Sequence, residues 1–564
     1  MEKTSTAKII ESSKQKIDVN LYVADEVFEL FSDSAFLQKW DILFNTCSWS
    51  TVFQSRAFVT TWYQIYKYEY LPIVAKSEYN NKLTGLVTMA VKTGGFENGA
   101  WAKLNGDIVG AGQYDAEYQT WLSDELNGDD FASAAIRIIK KRFPNCNIIF
   151  RYLPPQTPLN WTINDKHLSK YIVNYTCSRP LLDLNDPNVS NLFNKSGVMK
   201  KLRRLKRAGK FSFNKITDRS TFSQILEDFV VKFDFRQGAM FNKNQFRDNP
   251  LKFDLLLALF DQRLLHVTAI KVDEEIMACI IALVGKGWVY LGGVNVHTPY
   301  RANYYSPGLI NFLLLGQMLH EEGFKVFDLT PGGDSYKERL ATSHDQVFEL
   351  IIANNPLFKL KKQLRKYIDA RLVRAGIRPM SVEVRVKNKL YLIRGKLKAL
   401  RSISGLKSMF SNTNETESIS EPQIFYINRE GAAPNQVITI NKNDLNALLD
   451  FDQGKGSTTK WEFLDSAKHK LEHGECSFTW NEADRLKACA WVELPIQTGE
   501  KGVKTAGILK GLYLHDSVKN KEIDEFLRNV IETVSNENDV SEVIAEVRPN
   551  STLLNYLESF GLVN

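Results

Sequence analysis

The sequence predicts an α/β (α+β) chain of mixed, mostly antiparallel sheets flanked by helices, with a basic helical segment added. Three observations carry this. Residues 71–76 with 82–92, and 266–272 with 276–284, are apolar, β-branched runs on either side of the polar triplets Tyr79-Asn80-Asn81 and Asp273-Glu274-Glu275, and read as hairpins. Residues 288–337 read as strand, loop, long helix, strand and loop, a βαβ crossover. Past residue 356 the apolar residues recur at helical spacing amid a dense run of cations.

Composition sets the bounds. At 564 residues, 44% hydrophobic and 24% charged, the chain is globular and long enough for several domains, and a formal charge of +7 is by itself uninformative. Cys47, Cys146, Cys177, Cys279, Cys476 and Cys489 show no CxxC and no ligand spacing, so no disulfide, no structural zinc and a reducing compartment are expected. Residues 1–18 have no apolar core of a signal peptide, and no apolar run reaches the roughly 20 residues that span a bilayer. The expected location is cytoplasmic, peripheral at the inner membrane face if the basic segment docks there. Neither GxxxxGK[ST] nor GxGxxG is present, nor HExxH, nor GxSxG.

In chain order, residues 19–24 read as a strand and 27–30 open helical text. Trp40, Phe44, Trp49, Phe53, Phe58, Trp62 and Tyr63 read as core. Residues 132–142 form an amphipathic helix closed by Pro144, and 147–152 a strand. Residues 171–177 and 180–184 are strands, then Asn185-Asp186-Pro187 turns into a helix over 190–208. That helix carries Lys200, Lys201, Arg203, Arg204, Lys206 and Arg207: a solvated face, or a landing site for an anionic substrate. Helices follow at 221–236 and 253–265.

The crossover holds the chemistry. Residues 288–296 suit a strand covered on both faces. Ser306 is an N-cap type, Pro307 suits the first turn, and Gly308 admits a close ligand. The helix runs to Glu322 and stops at Gly323, and 325–330 is the next strand. The N–H groups of such a helix start form an anion site, normally for a phosphate.

The ordered set Tyr290, Ser306-Pro307-Gly308, Gly323-Phe324-Lys325-Val326-Phe327-Asp328-Leu329 and Gly333-Asp334-Ser335-Tyr336-Lys337 resembles the CelD/BcsL-type acyltransferases of the GNAT superfamily, relatives of the Fem aminoacyl transferases. Arg301 to Gly308 stand where ordinary members carry a Gly-rich loop. The resemblance implies tandem GNAT-like domains: an N-terminal half at 19–180, an acyltransferase domain at 181–355, the basic segment at 356–410, a polar linker at 411–421 and a degenerate GNAT-like domain at 422–564. It implies acetyl-CoA or another acyl-CoA as co-substrate, with no metal. Entry of the acyl group between two splayed strands is part of that implication. Expected donor-binding residues are Val294, Val296, Arg301, Ser306, Pro307 and Gly308; Arg203, Arg204, Asp234, Arg236 and Tyr290 are expected to meet the acceptor. At the carboxyl end of the last strand, Asp328 is base or orienter, Tyr336 the acid and Lys337 a charge near the thioester.

Residues 357–410 carry sixteen Lys and Arg against Asp369 and Glu383, a net +14. They fit packing on their own protein or an anionic membrane surface; nucleic acid is the weakest fit. In the last domain, Trp461, Phe478, Trp480, 488–494, 511–515 and 543–547 read as strand text, and 522–534 and 553–560 as helices. The leading function is acyl-CoA-dependent N- or O-acyl transfer to a sugar or amino compound, in the setting of cell-surface polysaccharide. The alternatives are aminoacyl-tRNA-dependent transfer and a non-catalytic scaffold.

Overall fold

The structure is a computed structural model describing residues 17–94, 103–187, 189–193, 196–377, 379–399, 423–426, 438–454, 458–494, 506–536, 540 and 542–547. The expected linker at 411–421, the helix at 553–560 and the end of the basic segment lie outside these residues.

One fourteen-stranded sheet runs through the first 352 residues. Its strands are β1 (Asn20–Val23), β2 (Tyr70–Tyr79), β3 (Lys82–Lys92), β4 (Gly106–Gly110), β5 (Leu122–Ser123), β6 (Cys146–Leu153) and β7 (Ile172–Asp183), then β8 (Phe211–Ile216), β9 (Leu265–Val272), β10 (Glu275–Gly285), β11 (Trp288–Tyr290), β12 (Asn295–His297), β13 (Val326–Asp328) and β14 (Ser343–Ile352). The order is β1-β2-β3-β4-β6-β14-β7-β13-β11-β10-β9-β8. Two-residue turns with φ > 0 at both positions close the hairpins: Asn80-Asn81 (48°, 61°) for β2–β3 and Asp273-Glu274 (48°, 67°) for β9–β10. Such turns match the right-handed twist of the strands they join.

Two copies of one topology make up this sheet. In the first, β4 and β6 are parallel and α1 (Gly128–Arg142) crosses between them. Asp129 and Asp130 in its first turn, and Lys140, Lys141 and Arg142 in its last, complement the helix dipole. In the second, α2 (Ser196–Arg207) and α3 (Arg219–Phe241) flank β8, and α4 (Pro307–Glu321) crosses between parallel β11 and β13. The halves exchange their last strands. β7 follows β6 in sequence but lies antiparallel on β13, and β14 follows β13 but lies antiparallel on β6. The exchanged strands pair with each other over ten residues, from Ser343↔Leu181 to Ile352↔Ile172. The two strands expected at 171–184 are thus the one strand β7, and the boundary expected at 180/181 falls inside it. A single core spans both halves, with Tyr290, Val347 and Leu350 among Phe53, Trp62 and Phe150.

α5 (Ser335–Leu340) follows β13; after β14 come α6 (Pro356–Arg374) and α7 (Pro379–Ala399). A second sheet repeats the topology: β15 (Gln423–Tyr426), β16 (Asn441–Lys442), β17 (Glu475–Glu482), β18 (Arg485–Glu493), β19 (Ala506–Leu514) and β20 (Glu542–Val547), in the order β15-β20-β19-β18-β17-β16. β19 and β20 are parallel, with α9 (Asn520–Ser535) between them in sequence. Trp461, expected in a strand, lies in α8 (Lys460–His473), which a Thr459/Glu462 capping box opens and Gly474 (φ 100°) ends. Among the described residues no helix is long and apolar enough to cross a membrane.

Candidate active site

β11 and β13 are joined only from Trp288↔Val326 to Tyr290↔Asp328, and the last rung is the Leu291 N–H on the Asp328 carbonyl at 3.1 Å. Beyond it the strands part. Gly292 (φ 58°) and Gly293 (φ 73°) break the strand expected at 288–296, and β12 continues along β10 alone. The Ile281 N–H reaches the Val294 carbonyl at 2.9 Å and the Thr298 N–H the Met277 carbonyl at 2.8 Å. Residues 294, 296 and 298 therefore turn their backbone groups to β10. By antiparallel alternation, Asn295 and His297 turn theirs to the unpaired edge.

Three side chains meet at this edge. Arg236, half-buried on α3, donates from Nη1 to Asn295 Oδ1 at 3.1 Å. Burial pushes its pKa down, while the negative charges available to Tyr336 and Asp334 push it up. His297 Nδ1 lies 3.0 Å from the Thr298 carbonyl, which can only accept, so Nδ1 carries the proton and Nε2 the lone pair. Burial lowers the His297 pKa from 6.5, and the charge of Arg236 lowers it further, against the Thr298 carbonyl and Glu472 of α8. The imidazole is neutral at pH 7.

The start of α4 adjoins this histidine, since a Cβ on Gly308 would stand 2.9 Å from His297 Cδ2. Ser306 is left-handed (φ 52°, ψ 49°) and does not cap the helix. Its hydroxyl instead accepts from Lys201 Nζ at 2.7 Å. Pro307 has no N–H, and the amides of Gly308 and Leu309 lie in the first turn, where the helix offers no acceptor. The Arg204 guanidinium stands 4.7 Å from the centre of the Tyr304 ring, just before this start. Two cations beside a helix N-terminus suit a diphosphate.

Several expected residues are held in other ways. Val294 and Val296 are core side chains whose backbones face β10, so the open-edge donors are the neighbouring Asn295 and His297. Gly308 makes room for His297 rather than for a ligand. Arg301 anchors the last domain: its N–H reaches the Leu471 carbonyl at 2.8 Å and its Nη2 the Leu494 carbonyl at 3.1 Å. Asp234 is buried and accepts from the N–H groups of Phe246 (3.0 Å) and Arg247 (2.8 Å), which occupies both its oxygens. Tyr290 is buried edge-on to Phe53 at 5.6 Å, away from the opening. Arg203 bonds its own helix at Met199, on the exposed side.

Asp328 is 0% exposed; it accepts from Arg179 Nη1 at 3.2 Å and from the Thr330 N–H at 2.8 Å, and burial lifts its pKa to about 6. It is a fully buried charge partner of Arg179 inside the sheet. Lys337 is buried, with Nζ on Thr330 Oγ1 (2.7 Å), the Thr330 carbonyl (3.2 Å) and Asp334 (3.6 Å), so it closes the turn. Tyr336 stays at the opening, its ring 5.2 Å from that of Phe312.

Sequence reasoning missed His297, Asn295 and Arg179. His297 has no metal or triad spacing, and its partner Arg236 is far away in sequence. The one available signal was its place four residues after a pair of glycines in a covered strand.

Residues 194–338 match the family model described as an acetyltransferase (GNAT) domain. No curated protein matches the chain. Among solved structures the chain is similar to FemX (10% identity, 57% of this chain and 98% of that one, TM-score 0.40). It is also similar to L-PGS from Bacillus licheniformis (12%, 57% and 94%, 0.36). A third is a tandem GNAT protein from the clavulanic acid biosynthesis pathway (10%, 60% and 99%, 0.34). The chain thus carries an acetyltransferase (GNAT) domain over residues 194–338, and its chemistry is acyl transfer.

Proposed function

We propose that the chain transfers an acyl group from acyl-CoA to the nitrogen or oxygen of a sugar or amino compound. One observation supports this above the others: an unpaired backbone edge, a neutral imidazole and a cation-flanked helix start meet on β12, just past the point where β11 and β13 part.

Acyl-CoA, when bound, supplies an activated thioester and an anionic diphosphate. Lys201, Arg204 and the amides of Gly308 and Leu309 hold the diphosphate. An N–H of the 295–297 edge donates to the acyl carbonyl oxygen, where negative charge develops. His297 Nε2 accepts the proton of the acceptor amine or hydroxyl, and its depressed pKa keeps the base form ready. Arg236 fixes Asn295, and the Tyr336 phenol holds a proton for the departing sulfur.

Titration calorimetry with acetyl-CoA and longer acyl-CoAs tests the reading. Saturable binding is expected, weakened roughly tenfold in Lys201→Ala through loss of a charge-assisted contact. Salt-dependent tRNA binding with no affinity for any acyl-CoA would overturn it in favour of an aminoacyl-tRNA donor.

A further inference from the structure

We propose that α6 and α7 form a docking surface for an anionic phospholipid bilayer. On α6, Leu357, Leu360, Leu364, Tyr367 and Ile368 are 79%, 62%, 59%, 54% and 48% exposed. Steps of three and four residues put all five on one face. The opposite face rests on β7, where the Tyr175 hydroxyl donates to the Lys362 carbonyl and Lys366 Nζ to the Asn174 carbonyl. The apolar stripe therefore points away from the protein. α7 adds Val386, Leu390 and Ile393, each about half exposed. Surface apolar residues normally occur singly; eight large ones on two consecutive helices mark an interaction surface.

Charge says what covers it. α6 carries seven Lys and Arg against Asp369, and α7 six against Glu383. Both acids are already engaged, Asp369 by Arg365 and Glu383 by Arg365 and Lys387. At the start of α6 a cavity of about 420 Å³ is lined by Arg137, Lys140, Lys141, His167, Lys170 and Tyr171. Lys359 Nζ donates to the Lys170 carbonyl, so the recess adjoins the helix. The Lys140 and Lys170 ammonium groups lie 4.8 and 5.0 Å from the centre of the Tyr171 ring, two cations converging on one wall.

An apolar stripe flanked by cations is the pattern of a helix lying in a lipid interface, with side chains among the acyl chains and ammonium groups among the phosphates. A nucleic acid would engage the cations but leave seven exposed aliphatic side chains in water. The cationic recess beside the stripe has room for a headgroup phosphate.

Vesicle flotation of the full chain decides the matter, using phosphatidylcholine alone and phosphatidylcholine mixed with phosphatidylglycerol. Flotation with the mixed vesicles only, weakened by added salt, is expected. The variant Leu360→Ser/Leu364→Ser/Ile368→Ser should lose roughly tenfold or more in bound fraction, since these groups insert. Its circular dichroism and acyl-CoA affinity should match the parent, because all three side chains are exposed and remote from α4. Lys361→Glu/Arg371→Glu should lose binding to the mixed vesicles. The proposal is overturned if the parent ignores mixed vesicles, floats equally well with phosphatidylcholine alone, or binds RNA instead. It is equally overturned if the triple serine variant floats like the parent, since the stripe would then not be seated in lipid.

Discussion

His297→Gln separates proton transfer from donor binding. Glutamine keeps a polar side chain against Gly308 but offers no titratable nitrogen, so kcat is expected to fall roughly 10²- to 10⁴-fold with acyl-CoA affinity unchanged. Steady-state kinetics beside calorimetry measures both. The pH profile carries the sign of the shift. A pKa held below 6.5 keeps the base form at pH values where an exposed histidine is already charged. kcat/KM should therefore hold through that value and decline only below it, and the glutamine variant should lack this limb. The unfolded chain protonates residue 297 first, so this group also removes stability as pH falls below about 6.5. None of this was legible in the sequence. A lone histidine between Val296 and Thr298 acquires its role from Arg236, the Thr298 carbonyl and the helix start, and only folding brings these together.

At the scale of elements the exchanged strands are tied by Arg179. From β7 it reaches Asp345 of β14 at 2.7 Å and Asp328 of β13 at 3.2 Å, while 3% exposed. Arg179→Met fills the space but leaves Asp328 without its cation in a dry site. A loss of about 3–5 kcal/mol in urea unfolding is expected at pH 7. Part of that loss should return as pH falls from 7, because burial already raises the Asp328 pKa to about 6 with Arg179 present, and removing that cation raises it further. The hairpins and the Pro307-to-Gly323 helix were readable, because a polar turn between apolar runs and a proline start with a glycine stop each act locally. The break at Gly292-Gly293 was not. Apolar text continues across it, and which strand loses its partner there depends on β10 and β13. Trp461 misled for a similar reason: an aromatic suits strand or helix, and the Thr459/Glu462 cap decides.

For the whole molecule, exchange of β7 and β14 makes the halves one folding unit. A chain ending at residue 341 lacks β14, leaving β6 and β7 with long unpaired edges. It is expected to be insoluble or to show no cooperative thermal transition by circular dichroism, whereas a chain ending at 355 should keep both. A boundary near 180 follows from domain-sized blocks of text, but strand exchange leaves no local mark. β7 and β14 are ordinary apolar strands, and only their choice of partner is unusual.

The same arrangement sets a schedule for synthesis. The first half has every other strand by Leu153, yet the strand that covers β6 is complete only at Ile352. At roughly 5–20 residues per second, about 200 intervening residues take about 10–40 s to emerge. For that interval the nascent chain offers a sticky margin to its neighbours on the same message, a hazard that a chaperone at the ribosome exit would relieve.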